Sequence, residues 1–109
     1  MESYILIAEK SFSFESLKDL LQKKFTCYEV SNSRLTVESG DEHIFIDFDD
    51  DMREDYDDEK IRASDFHFFS VSYSSRKFAK SVISEAKDFA IRVDDDNGTI
   101  LPIKDFVLN

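Results

Sequence analysis

Apolar and polar positions along the chain change period several times, and each change marks an element. Tyr4 to Ala8 is a short continuous apolar run, which predicts a strand covered on both faces. Behind Ser13, a natural helix cap, Phe14, Leu17, Leu21 and Phe25 recur at helical spacing, with Lys18, Lys23 and Lys24 toward the favourable C-terminal end. From Tyr28 the period falls to two. Leu35 and Val37, then Ile44, Ile46 and Phe48, alternate on either side of Ser39-Gly40-Asp41-Glu42, a hairpin in which Gly40 is free to take a positive φ. Asn32 marks an earlier turn, between a short strand at Tyr28 to Val30 and one beginning near Arg34.

Asp65 to Tyr73 is again strand-like, with Phe66 and Phe68 facing one way and Phe69, Val71 and Tyr73 the other. Ser75 then caps a second helix whose stripe is Phe78, Val82, Ala86 and Phe89, with Ala79 and Ile83 beside it. Two further strands flank Asn97-Gly98, a dipeptide suited to a type I′ hairpin turn, and Pro102 belongs at a strand end or an edge. The order is strand, helix, two or three strands, strand, helix, two strands, which can be read as a doubled β-α-β-β unit. It predicts an α+β two-layer sandwich: a mainly antiparallel sheet of about five to seven strands with two helices on one face. At 109 residues with eleven Phe, the chain has the size and apolar content of a single domain over 1–109, with an acidic loop inserted at about 49–62.

The charge is unevenly placed. Asp47 to Glu59 holds nine carboxylates and one cation, Arg53, for a charge of −8; Asp94, Asp95 and Asp96 add −3, and the rest of the chain sums to +1 within a net −10. Acidity concentrated this way makes a field with a direction, which attracts a basic partner and repels nucleic acid or an anionic membrane. The start of the chain has no basic n-region, and Tyr4 to Ala8 is too short for a leader or a membrane span, so the expected location is cytoplasmic. The single cysteine, Cys27, fits a reducing compartment.

Candidate chemistry is sparse. Asp47, Asp49 and Asp51 alternate as in a calcium loop, yet the sixth position is Met52 where the turn needs Gly, and the twelfth is Asp58, shorter than the usual bidentate Glu. No dedicated metal site or cofactor is expected. Catalysis would draw on Cys27, Ser70, Ser72, His43 and His67, but no nucleophile elbow, phosphate-binding glycine loop or zinc-binding histidine motif organises them. No enzymatic activity is expected.

The remaining reading is a docking surface made of Asp47, Asp49, Asp50, Asp51, Glu54, Asp55, Tyr56, Asp57, Asp58 and Glu59, joined by Asp94, Asp95 and Asp96. Clustered carboxylates speed the encounter with a Lys- and Arg-rich protein, and Tyr56, Met52 and Phe48 offer apolar contacts within the charged ring. In size, charge and α+β mixture the chain resembles the small acidic immunity proteins and antitoxins with which bacteria block nuclease toxins. The resemblance rests on no motif and carries over no residue roles. The expected function is therefore a non-enzymatic inhibitor capturing a basic protein such as a nuclease. The alternatives are a structural α+β domain with a solvated acidic loop, dimerising through a strand edge or through Phe66 to Phe69, and a weak divalent-cation-binding domain.

Overall fold

The computed structural model describes residues 2–31, 33–49, 65–94 and 100–108. Seven strands form one antiparallel sheet: β1 (Glu2–Glu9), β2 (Thr26–Ser31), β3 (Arg34–Ser39), β4 (Glu42–Phe48), β5 (Phe66–Tyr73), β6 (Ile91–Asp94) and β7 (Ile100–Pro102), in the spatial order β2-β3-β4-β5-β1-β6-β7. The helices are α1 (Phe14–Gln22), α2 (Arg76–Ile83), continued by a 3₁₀ turn at Ser84–Ala86, and α3 (Ile103–Leu108). This is the α+β architecture expected from the periodicity, with one helix more than the pattern announces.

β1 sits inside the sheet, between β5 and β6, and its side chains enter packed clusters on both faces. Its even-numbered residues Tyr4, Leu6 and Ala8 join Leu35, Val37, Ile44, Ile46, Phe69, Val71 and Val93 in a cluster that also takes the buried side chains of all three helices. Ile7 and Phe68, directly opposite one another, form a second cluster with Ile5 and Phe66 on the other face, and both are 0% exposed. The alternation of β5 is therefore as the sequence has it: Phe68 on one side, Phe69, Val71 and Tyr73 on the other.

Both long helices begin at serine caps. Ser13 Oγ accepts the Ser16 N–H at 3.2 Å while Ser16 Oγ accepts the Ser13 N–H at 3.2 Å, a reciprocal box that satisfies two otherwise orphaned donors. Ser75 Oγ accepts the Phe78 N–H at 3.2 Å. α2 is shorter than its apolar stripe. The α-helix gives way at Ser84, and Phe89 lies beyond it, 45% exposed, with its ring 4.9 Å from Phe12. Gly40 takes φ 62° in the β3–β4 turn, where its missing Cβ allows that conformation.

The two halves share an element order but follow different paths. After α1 the chain enters the sheet at its far edge, β2, and works inward through β3 and β4; after α2 it enters beside β1 and works outward through β6 to β7. Pro102 closes β7 on the outer edge, as its missing N–H requires. The Asn97-Gly98 tip lies outside the described residues, while the antiparallel β6–β7 pairing on either side of it is present. Among the described residues no helix is long and apolar enough to cross a membrane.

Candidate functional site

The acidic run is carried by the connection between two adjacent antiparallel strands. β4 ends at Phe48 and β5 starts at Phe66. Two backbone bonds hold the end of β4 and the residue after it: Phe48 N–H donates to Ser33 O at 2.7 Å and Asp49 N–H donates to Phe68 O at 2.8 Å. Of the thirteen predicted site residues, Asp47, Asp49 and Asp94 fall within the described structure. Asp50, Asp51, Glu54, Asp55, Tyr56, Asp57, Asp58, Glu59, Asp95 and Asp96 lie outside it, as do Met52 and Arg53.

Asp47 and Asp94 occupy the same cross-strand row. Asp47 pairs with Ser70, Ser70 with Ile5, and Ile5 with Asp94, so both project from the face opposite the helices, three strand spacings or about 14 Å apart. β4 runs toward the end of the sheet where β5 begins, here the upper end, and β6 runs toward the lower end, so Asp47 and Asp94 lie on strands of opposite direction.

Asp47 is already matched within the protein. Arg34 stands opposite it on β3, and its guanidinium donates twice, Nε to Oδ1 at 2.6 Å and Nη2 to Oδ2 at 3.1 Å. The Arg34 guanidinium lies 5.5 Å from the centre of the Phe45 ring, and its pKa is raised by the hydrogen bond and charge of Asp47. The sequence holds the signal for this pair. A two-residue turn at Gly40-Asp41 sets Ser39 opposite Glu42, and counting outward places Arg34 opposite Asp47. Asp49, one residue past the strand, makes no ion pair with a described residue.

Phe48, expected among the apolar contacts, is half-buried: its ring meets Phe69 at 5.4 Å and His67 at 5.0 Å. It lines an open groove of about 440 Å³ with Ser13, Phe14, Glu15, Glu29 and His67, beside the point where the acidic run departs. The two carboxylates at this groove share one cation, since Lys18 Nζ lies 3.3 Å from Glu29 and 3.9 Å from Glu15. The Glu29 hydrogen bond, followed by the charge of Glu15, raises the Lys18 pKa. The basic residues of α2 begin at the lower end of the sheet, after Tyr73, with Arg76 6.0 Å from the Tyr4 ring centre and Lys80 5.2 Å from that of Phe106.

The residues considered for catalysis are divided between the two faces. Cys27 and His67 pack toward the helix side, Cys27 with its thiol 3.7 Å from Phe25 O, whereas Ser70, Ser72 and His43 alternate to the other side, where His43 meets the Phe45 ring at 5.3 Å. Burial pushes the Cys27 thiol pKa up, which disfavours the reactive thiolate. Among the described residues no group of three or more metal-ligating side chains comes together. Set against known proteins, the chain matches no family model, no curated protein and no solved structure.

Proposed function

We propose that this protein is a non-enzymatic, cytoplasmic binding protein that captures a basic protein surface through its acidic β4–β5 segment, and that the partner is a nuclease or another nucleic-acid-binding protein. One observation carries the reading. A run with nine carboxylates and one cation is set between two adjacent strands of a well-packed sheet, while the rest of the chain outside Asp94 to Asp96 is nearly neutral. Of the cations in the described ion pairs, Lys18 and Lys24 serve Glu15, Glu29 and Glu85, and Arg34 serves Asp47 alone. A segment of that charge density mimics a run of phosphates, the ligand for which a nuclease cleft is shaped, and it repels nucleic acid itself.

The test uses a panel of basic ribonucleases and deoxyribonucleases. Stoichiometric inhibition of at least one is expected, with an association rate that falls as salt rises. The variant with Asp49, Asp50, Asp51, Asp55, Asp57 and Asp58 replaced by Asn is expected to keep the far-ultraviolet circular dichroism of the parent and to associate about tenfold to a thousandfold more slowly at low salt. Binding as fast as the parent by that variant removes the electrostatic basis of the proposal. A panel left uninhibited leaves the acidic segment as a solvated loop.

A further inference from the structure

Lys87, Arg92 and Lys104 meet at one cavity on the β6–β7 side of the sheet. It holds about 500 Å³, within the range of small-molecule sites. Glu9 and Asp88 line it as well, so three cations face two carboxylates and the lining is positive by one, on a chain of net −10. Lys87 and Lys104 also line a neighbouring cavity of about 410 Å³ with Ser84, Val107 and Leu108, which places the two lysines on the ridge between the two spaces.

None of these three cations makes an ion pair with a described residue, although two carboxylates line the same space. Register gives the reason for Arg92. It stands between Ile7 on β1 and Pro102 on β7, whose side chains accept no hydrogen bond, whereas Arg34 on β3 stands opposite Asp47 and is neutralised by it. The Arg92 guanidinium lies over the Phe66 ring, 5.9 Å from its centre, a contact that leaves its N–H donors for an oxygen ligand. The backbone beneath the cations is held. Lys87 N–H donates to Ser84 O at 3.2 Å, Phe89 N–H to Ala86 O at 3.0 Å and Ile91 N–H to Phe89 O at 2.9 Å, while α3 carries Lys104 between buried Ile103 and Phe106. Binding then has only long side chains to order.

We infer that this cavity is a binding site for a small organic phosphate monoester with a flat body. A carboxylate presents two oxygens, too few for one guanidinium and two ammonium groups. A phosphate monoester presents three terminal oxygens and close to two negative charges at neutral pH. Arg92 suits two of those oxygens as a fork, and Lys87 and Lys104 act on the group as point charges. Phe89, 45% exposed on the same wall, supplies ring surface for the flat body. All three cations are exposed to solvent, so the site is weak, with a Kd on the order of a millimolar.

Nitrogen-edited NMR titrations at low salt with phenyl phosphate, adenosine monophosphate, inorganic phosphate and adenosine test the site. Both esters are expected to shift the amides of Lys87, Arg92 and Lys104 saturably. Inorganic phosphate, lacking the flat body, should bind about threefold to tenfold more weakly, and uncharged adenosine should leave those amides unmoved. Arg92→Ala and the Lys87→Ala/Lys104→Ala pair are each expected to weaken ester binding about tenfold or more while retaining the parent circular dichroism. Arg92→Lys keeps the charge without the fork and should fall between Arg92→Ala and the parent. Esters that fail to move these amides at several times the expected Kd overturn the inference, and so does ester binding that the alanine variants leave unchanged. Inorganic phosphate binding as tightly as the esters would mark an adventitious ion only, and overturns it too.

Discussion

At the scale of single residues, the position of a charge in the run matters more than its presence. Arg34 engages Asp47 through two hydrogen bonds, whereas Asp49 has no described ion-pair partner. Asp47→Asn is therefore expected to change the association rate with a basic partner less than Asp49→Asn does, by stopped-flow fluorescence at low salt; an equal or larger effect for Asp47 would mean that the Arg34 pair opens on binding. Lys18 and Cys27 both have pKa values raised in the folded protein, the first chiefly by the Glu29 hydrogen bond and the second by burial. The folded state then holds a proton that the unfolded chain gives up, so both contributions are fully present below the ordinary values of 10.5 and 9.0 and are lost as pH climbs through the raised ones. Urea midpoints measured across this alkaline range should fall less steeply for Cys27→Ser than for the parent. Alkylation of Cys27 in the native protein should follow a pH curve displaced above that of the unfolded chain, and a curve displaced below would place the thiol in an electropositive site that the structure does not show.

At the scale of elements, the serine caps give a sharp expectation. Each accepts a helix N–H that has no other partner within the helix, so Ser13→Ala and Ser75→Ala are each expected to cost about 1 kcal/mol, read as a shift in urea midpoint at unchanged slope. Phe68→Ala and Phe69→Ala, on opposite faces but both 0% exposed, are each expected to cost about 3–5 kcal/mol. A mild effect at Phe68 alone would show that the second cluster is not a true core. The elements legible in the sequence are those with enough turns or alternations to display a period: α1, α2 and the strands from Leu35 onward. α3 was not legible because its six residues make less than two turns, so Ile103, Phe106 and Val107 show the helical spacing only once, and a short apolar strand end offers as much. Pro102 at its threshold was the one available signal. The interior place of β1 was readable as a fully apolar run, yet the far-edge entry of β2 was not, because local pattern does not encode which distant strands pair. In the candidate site the Arg34–Asp47 pair was implicit in the turn at Gly40-Asp41, and its neutralising effect emerges only when charges are counted across strands instead of along the chain.

At the scale of the whole molecule, the question is whether the acidic run strains the fold or only shapes the field outside it. Charges close in sequence stay close in the unfolded chain as well. Two carboxylates about 7 Å apart in water repel by roughly 0.6 kcal/mol in either state, so most of the repulsion within Asp47 to Glu59 cancels in the free energy of folding. What does not cancel is the interaction with charges distant in the chain, and at physiological salt that is screened beyond about 8 Å. The sixfold Asp-to-Asn variant is thus expected to unfold at nearly the parent's urea concentration, within about 1 kcal/mol, while its association with a basic partner slows by an order of magnitude or more. Stability and association rate should separate in the same protein under the same salt series. A large gain in stability on removing the charges would mean that the run is pressed against the rest of the fold, and the field attributed to it would then be spent inside the molecule.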